Sequence, residues 1–183
     1  CDLSANQCHR SALETTLARF APFDGDKGRA MDWLAADTWR PPADASDVTA
    51  LWEERFALTV FYYATSGDGW NNNNGWLTVA SVCSWNGITG CNEDDSVTKF
   101  ELCEYLCLRL MPPLSRCIVI SNSTTGNDGY PFGLVGDFPD ELRVLTNLEH
   151  FKFSKNSLVS SRYVVLLLST SSDFVNVVVN SIQ

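Results

Sequence analysis

Few side chains in this sequence can carry nucleophilic, acid–base or metal chemistry: two histidines, His9 and His150, and seven cysteines, Cys1, Cys8, Cys83, Cys91, Cys103, Cys107 and Cys117. A serine or cysteine nucleophile needs a base within hydrogen-bond reach, and neither histidine sits in a pattern that supplies one. No G-x-S-x-G stretch is present, and neither phosphate-cradling pattern, G-x-x-x-x-G-K-[ST] or G-x-G-x-x-G, occurs. His150 falls at an outward position of an alternating apolar segment, which marks a surface contact residue rather than a general base. The expectation is a chain that is not an enzyme and has no cofactor.

The cysteines fit a disulfide set better than a metal set, because zinc sites draw on close Cys/His pairs and histidine is scarce. An odd total leaves at least one thiol unpaired or bonded to another chain. Cys103, Cys107 and Cys117 admit either a three-thiolate metal site or a disulfide plus a buried thiol, and the second is preferred. Asn122-Ser123-Thr124 is a glycosylation acceptor pattern. Together these features favour an oxidising compartment: extracellular, cell-surface or lumenal. Asp24-Gly25-Asp26 resembles the start of a calcium loop, but Arg29 and Ala35 stand where an EF-hand needs glycine and a bidentate glutamate, so a helix-capping turn is expected. Glu53-Glu54 and Asp94-Asp95 read as solvated surface pairs.

Composition bounds the class. The chain has 183 residues, 45% of them hydrophobic and 19% charged, which is enough to bury a core and too apolar for disorder. A formal charge of −9 repels phosphate backbones, so nucleic acid is not an expected partner. The longest apolar run, Tyr163 to Leu168, is six residues, far short of a membrane span.

The elements follow from periodicity. Residues 1–46 read as a helical N-terminal arm, with Leu13, Leu17 and Phe20 as one apolar stripe and Ala30, Met31, Trp33 and Leu34 as a second, ended by Pro41-Pro42. Asp47 to Ala64 reads as a longer helix with Ser46 or Asp47 as N-cap; Val48, Leu51, Trp52, Arg55, Phe56, Thr59, Val60 and Tyr63 trace one face, and Gly67-Asp68-Gly69 stops it. Trp70, Trp76 and Trp85 then lie among Asn71 to Asn74 and the block Cys83-Ser-Trp-Asn-Gly-Ile-Thr-Gly-Cys91, where indoles and a short disulfide loop could staple a small apolar surface. Core packing is preferred over a sugar-stacking role for these tryptophans.

This stretch resembles the N-terminal cap of plant-type leucine-rich-repeat proteins, through Gly67-Asp68-Gly69-Trp70, Trp76-Leu77 and Cys83-Ser84-Trp85-Asn86-Gly87-Ile88-Thr89, with Gly90 inserted before Cys91. The preceding segments, Gly28 to Leu34 and Arg55 to Thr65, look like the extended cap of diatom and related algal members of that family. The resemblance implies a Cys83–Cys91 disulfide and repeats of about 24 residues after the cap; apart from the resemblance, Cys1–Cys8 is the next pair expected. Leu148-Glu-His-Phe151-Lys-Phe153-Ser-Lys-Asn156-Ser-Leu158 fits L-x-x-L-x-L-x-x-N-x-L, and a shift of 24 carries Phe151, Phe153, Asn156 and Leu158 onto Val175, Val177, Asn180 and Ile182. Leu134 to Leu142 matches L-x-G-x-I-P-x-x-L. Asn156 and Asn180 are expected to satisfy turn backbone groups from inside. The middle is irregular, since Tyr105 stands where asparagine is expected and Leu114, Cys117, Val119 and Asn122 offer a strand out of step.

The expected fold is thus an α/β solenoid: an arm over 1–46, a disulfide-stapled cap over 47–96, and degenerate leucine-rich repeats over 97–183 forming about three to four coils. The residues between inward apolar pairs, His150, Lys152 and Ser154 in one coil and Phe174, Asn176 and Val178 in the next, are the expected contacts for a protein or glycan partner. The uncharged stretch Val175 to Ile182 raises the alternative of a structural subunit docking its open end into a larger assembly.

Overall fold

The structure is a computed structural model of the chain that describes residues 5–102, 135–153 and 157–158. Three helices come first: α1 (Ala5–Thr16), α2 (Gly25–Ala36) and α3 (Val48–Ala64). Five short strands follow: β1 (Ile88–Cys91), β2 (Val97–Leu102), β3 (Val135–Gly136), β4 (His150–Phe153) and β5 (Ser157–Leu158). Short 3-10 turns punctuate the chain at Ala18–Phe20, Gly67–Gly69, Val82–Ser84 and Asp140–Val144.

Helix α3 organises everything else. Asp47 caps it by accepting the Ala50 N–H at 2.9 Å. Its C-terminus closes with Ser66 in the left-handed region (φ 57°) and with the Thr65 hydroxyl donating to the Phe61 carbonyl. Gly67 is therefore not the residue that turns the chain; its missing side chain matters because a Cβ there would lie 2.3 Å from the Tyr62 ring. Except for Glu53, every α3 residue from Leu51 to Tyr62 is buried, as happens to a helix packed on all sides. One side meets the arm, where Leu13 and Leu17 of the predicted stripe join Met31, Leu34, Trp52 and Phe56. The other side meets the tryptophans and the sheet, through Leu58, Phe61 and Tyr62.

The main sheet has order β1-β2-β4. β1 and β2 form an antiparallel hairpin, while β2 and β4 pair in parallel with Phe100 opposite Phe151 and Leu102 opposite Phe153. β3 and β5 make a separate parallel pair.

This architecture corrects the expected α/β solenoid of about three to four leucine-rich-repeat coils. The described residues form three helices around a small mixed sheet and contain no run of repeating coils. A solenoid pairs strands one repeat apart, whereas β2 pairs directly with a strand 51 positions later, Phe100 with Phe151, with no coil between them. The apolar residues that suggested a period are used differently. Leu142, Leu145 and Leu148 pack from the Asp140–Val144 turn and the segment after it into the aromatic core beside α3. Gly136, read as a repeat signature residue, has φ 135° and approaches α3 so closely that a Cβ would lie 2.0 Å from the Ala64 carbonyl oxygen.

Candidate interaction surface

The β2–β4 pair is where the expected contact residues meet described backbone. Its register sets Lys99 beside His150 and Glu101 beside Lys152. These positions alternate with Phe100, Leu102 and Phe151, all buried, while Lys99 is exposed and Glu101 half-buried. Two polar ties fix the base of this pair. The Glu149 N–H donates to the Thr98 carbonyl at 2.8 Å, and Asn147 Nδ2 donates to the Ser96 hydroxyl at 2.8 Å.

Glu54 anchors the same edge from beneath. Its carboxylate accepts the Ser96 hydroxyl and, at 3.0 Å, the Val97 N–H, so the first residues of β2 are bonded to the middle of α3. Glu54 is 1% exposed, which overturns its reading as a solvated partner of Glu53. Burial raises its carboxyl pKa, opposed by the two hydrogen bonds it accepts. Glu53 does reach the surface side and pairs with Arg19.

Next to Glu54 lies a buried cation. The Arg55 guanidinium pairs with the Asp37 carboxylate (2.6 and 2.8 Å) and donates to the carbonyls of Ala80 (2.9 Å) and Thr78 (2.7 Å). The rings of Trp33, Trp39 and Trp85 surround it at 4.6–5.1 Å. Burial lowers the Arg55 pKa and the Asp37 charge raises it. Asp37 is the C-cap of α2, and Thr78 and Ala80 belong to the segment leading to the disulfide, so one side chain joins three stretches of sequence.

The tryptophan block packs behind this centre. Trp76 lies 4.8 Å from Trp70 and 4.9 Å from Trp85, ring to ring. Trp70 donates its indole N–H to the Thr65 carbonyl and Trp76 to the Asn86 carbonyl, whereas the Trp85 Nε1 has no hydrogen-bond partner among the described residues. Cys83 and Cys91 are disulfide-bonded with Cα atoms 6.0 Å apart, tying the Val82–Ser84 turn to β1. Asn73 Nδ2 donates to the Tyr62 hydroxyl and the Gly67 carbonyl. Tyr62 in turn donates to Asp68 at 2.8 Å; burial, with the Asp68 hydrogen bond second, pushes its phenol up to about 12.

The remaining predicted residues divide by location. Cys8 is disulfide-bonded, while Cys1 lies outside the described residues, as do Asn122, Ser154, Asn156, Phe174, Asn176, Val178, Asn180 and the trio Cys103, Cys107 and Cys117. The structure brings His150 and Lys152 together with Lys99 and Glu101, and it buries Trp70, Trp76 and Trp85. His9 sets its ring edge-on to Trp52 at 5.7 Å, and burial lowers its pKa. Asp24 occupies the N-cap of α2 without making a side-chain cap bond. Among the described residues no cluster of histidine, cysteine and carboxylate side chains could hold a metal ion, and no helix is long and apolar enough to cross a membrane. A groove of about 390 Å³ runs between the arm and the Asp140–Val144 turn, but its charges are already matched: Lys27 to Glu141, Arg19 to Glu53 and Arg143 to Asp140.

Sequence reasoning missed Asp37, Glu54 and the central role of Arg55. One signal was present: an arginine at apolar spacing with Leu51, Phe56 and Thr59 on α3. No protein-family model matches the chain, and neither does any curated protein or solved structure.

Proposed function

We propose that this chain is a non-enzymatic protein-interaction module of an oxidising compartment, presenting the β2–β4 face to a protein or glycan partner. The observation that carries this reading is the in-register pairing that gathers Lys99, Glu101, His150 and Lys152 from distant sequence onto adjacent positions of one sheet. A row of mixed charge on a fixed backbone favours selective recognition, because it rewards complementary partners and penalises others. The ionisable groups shifted by burial, Glu54 and Arg55, are sealed in the core with partners from this chain, which supports a structural use of their charge. The Cys83–Cys91 bond supports the compartment. Within this reading the likeness to leucine-rich-repeat caps is strongest over residues 67–91.

The test is capture from native extract by the full chain and by a Lys99→Glu/Lys152→Glu double variant, with Arg143→Glu as a remote charge control. A partner held by the parent and the control but lost by the double variant supports the reading. Retention by all three overturns it.

A further inference from the structure

Two Asn-Gly pairs meet across the turn that carries the tryptophans, Asn74-Gly75 and Asn86-Gly87. The Asn86 N–H donates to the Asn74 carbonyl at 2.9 Å. Both glycines have positive φ, 79° and 94°, so the local chemistry is nearly the same. Their asparagine side chains are not held alike. Asn86 Nδ2 donates to the Asn72 carbonyl at 3.1 Å, and the Asn86 carbonyl accepts the Trp76 indole N–H at 2.7 Å. Asn74 is exposed, and its side-chain amide makes no hydrogen bond among the described residues. The Gly75 N–H likewise donates to no acceptor among them.

We propose that Asn74 is a self-modification site, at which the backbone nitrogen of Gly75 closes on the Asn74 side chain to form a succinimide. The glycine nitrogen gives up its proton and forms a C–N bond to the Asn74 Cγ; the Cγ–Nδ2 bond breaks, and ammonia leaves with a proton. Water then opens the ring at either carbonyl, leaving aspartate or isoaspartate, so the sum is asparagine plus water to carboxylate plus ammonium. A glycine successor, lacking a Cβ, leaves the approach to Cγ unhindered. At Asn86 the same closure must first break the bond from Nδ2 to the Asn72 carbonyl.

The products bear directly on the cap. Either one adds a negative charge at position 74. Isoaspartate also reroutes the main chain through the side-chain carbons, so the carbonyl that accepts the Asn86 N–H becomes a free carboxylate branch. Gly75 has little room to follow this shift, since a Cβ on it would already lie 2.9 Å from the Ser84 carbonyl oxygen and 3.3 Å from the Trp85 Cα.

The experiment ages the folded chain in mildly alkaline buffer and quantifies aspartate and isoaspartate at 74 and 86 in one digest by mass spectrometry, with a parallel sample in concentrated urea. In the folded chain, position 74 should convert roughly fivefold faster than position 86, the rate equivalent of one hydrogen bond, and in urea the ratio should fall towards one. Tryptophan fluorescence should drift with ageing in the parent and hold steady in Asn74→Gln. Equal or faster conversion at 86 in the folded chain overturns the proposal. So does an unchanged ratio in urea, or protection of both sites by the fold.

Discussion

The two cores that flank α3 are built on different principles. The fully buried side chains of the arm core are mostly aliphatic, with Leu13, Leu17, Met31 and Leu34 around Trp52 and Phe56, and its ion pairs, Arg10 with Glu14 and Asp32 and Arg19 with Glu53, lie towards the surface. The tryptophan core is ring on ring, bolted by a disulfide, and bordered by a buried cation whose hydrogen bonds are directional. Aliphatic burial is non-directional and scales with area, so the arm should weaken by degrees. Directional bonds to a buried charge hold only near one geometry, so the tryptophan core should fail as a unit.

The largest break in this contrast is expected at Asp37. Asp37→Ala leaves the Arg55 guanidinium buried with its counter-charge gone, and removing one partner of such a pair costs about 3–5 kcal/mol. An Arg55→Met/Asp37→Leu double variant should recover much of that loss, because it removes the uncompensated charge while keeping apolar volume. Urea denaturation of the three chains decides the point; a double variant no better than Asp37→Ala would mean that the carbonyls of Thr78 and Ala80, not the ion pair, set the cost.

A smaller and local effect is expected in the arm. Leu17→Ala removes a fully buried side chain and should cost about 2–4 kcal/mol. Hydrogen exchange should show α1 and α2 amides opening sooner while β1 and β2 keep their protection. Uniform loss across both cores would show that α3 does not separate them.

The smallest effect concerns Glu54 and sharpens the boundary between helix and sheet. Because burial raises its folded-state pKa above the ordinary 4.5, the fold favours the protonated carboxyl. That stabilisation is fully present below the unfolded value and is lost as pH rises through the raised folded value. Glu54→Gln keeps an acceptor for the Val97 N–H and does not titrate, so the stability of the parent relative to this variant should fall as pH rises from 4.5 towards neutrality. Parallel denaturation profiles for the two chains over this range would place the charge of Glu54 elsewhere than in the core.

Where local pattern decides structure, the sequence was legible. Asp47 and the apolar spacing after it marked α3 to within a residue at its N-terminus, and the stripe of Leu13 and Leu17 identified buried positions on α1 and at the turn that follows it. What could not be read was which distant segments would meet. The period of 24 extrapolated Phe151 and Phe153 forwards to Val175 and Val177, whereas the described partner of β4 lies backwards, at Phe100 and Leu102. Alternation fixes the face a residue occupies but not the neighbour it pairs with. Glu54 was misread for a related reason: a carboxylate is exposed unless something pays for its burial, and the donors that do so, at Ser96 and Val97, lie more than 40 residues away.

Arg55 also has a consequence for the order in which the chain can be completed during synthesis. Asp37 precedes it and leaves the ribosome first, so the ion pair can form while the chain is still growing. The carbonyls of Thr78 and Ala80, and the face of Trp85, come 23 to 30 residues later. Until they arrive the guanidinium remains short of its acceptors, and water is their only substitute. A nascent chain halted between residues 55 and 78 would therefore keep its centre wet, and the arrival of residues 78–85 is the event that dries it.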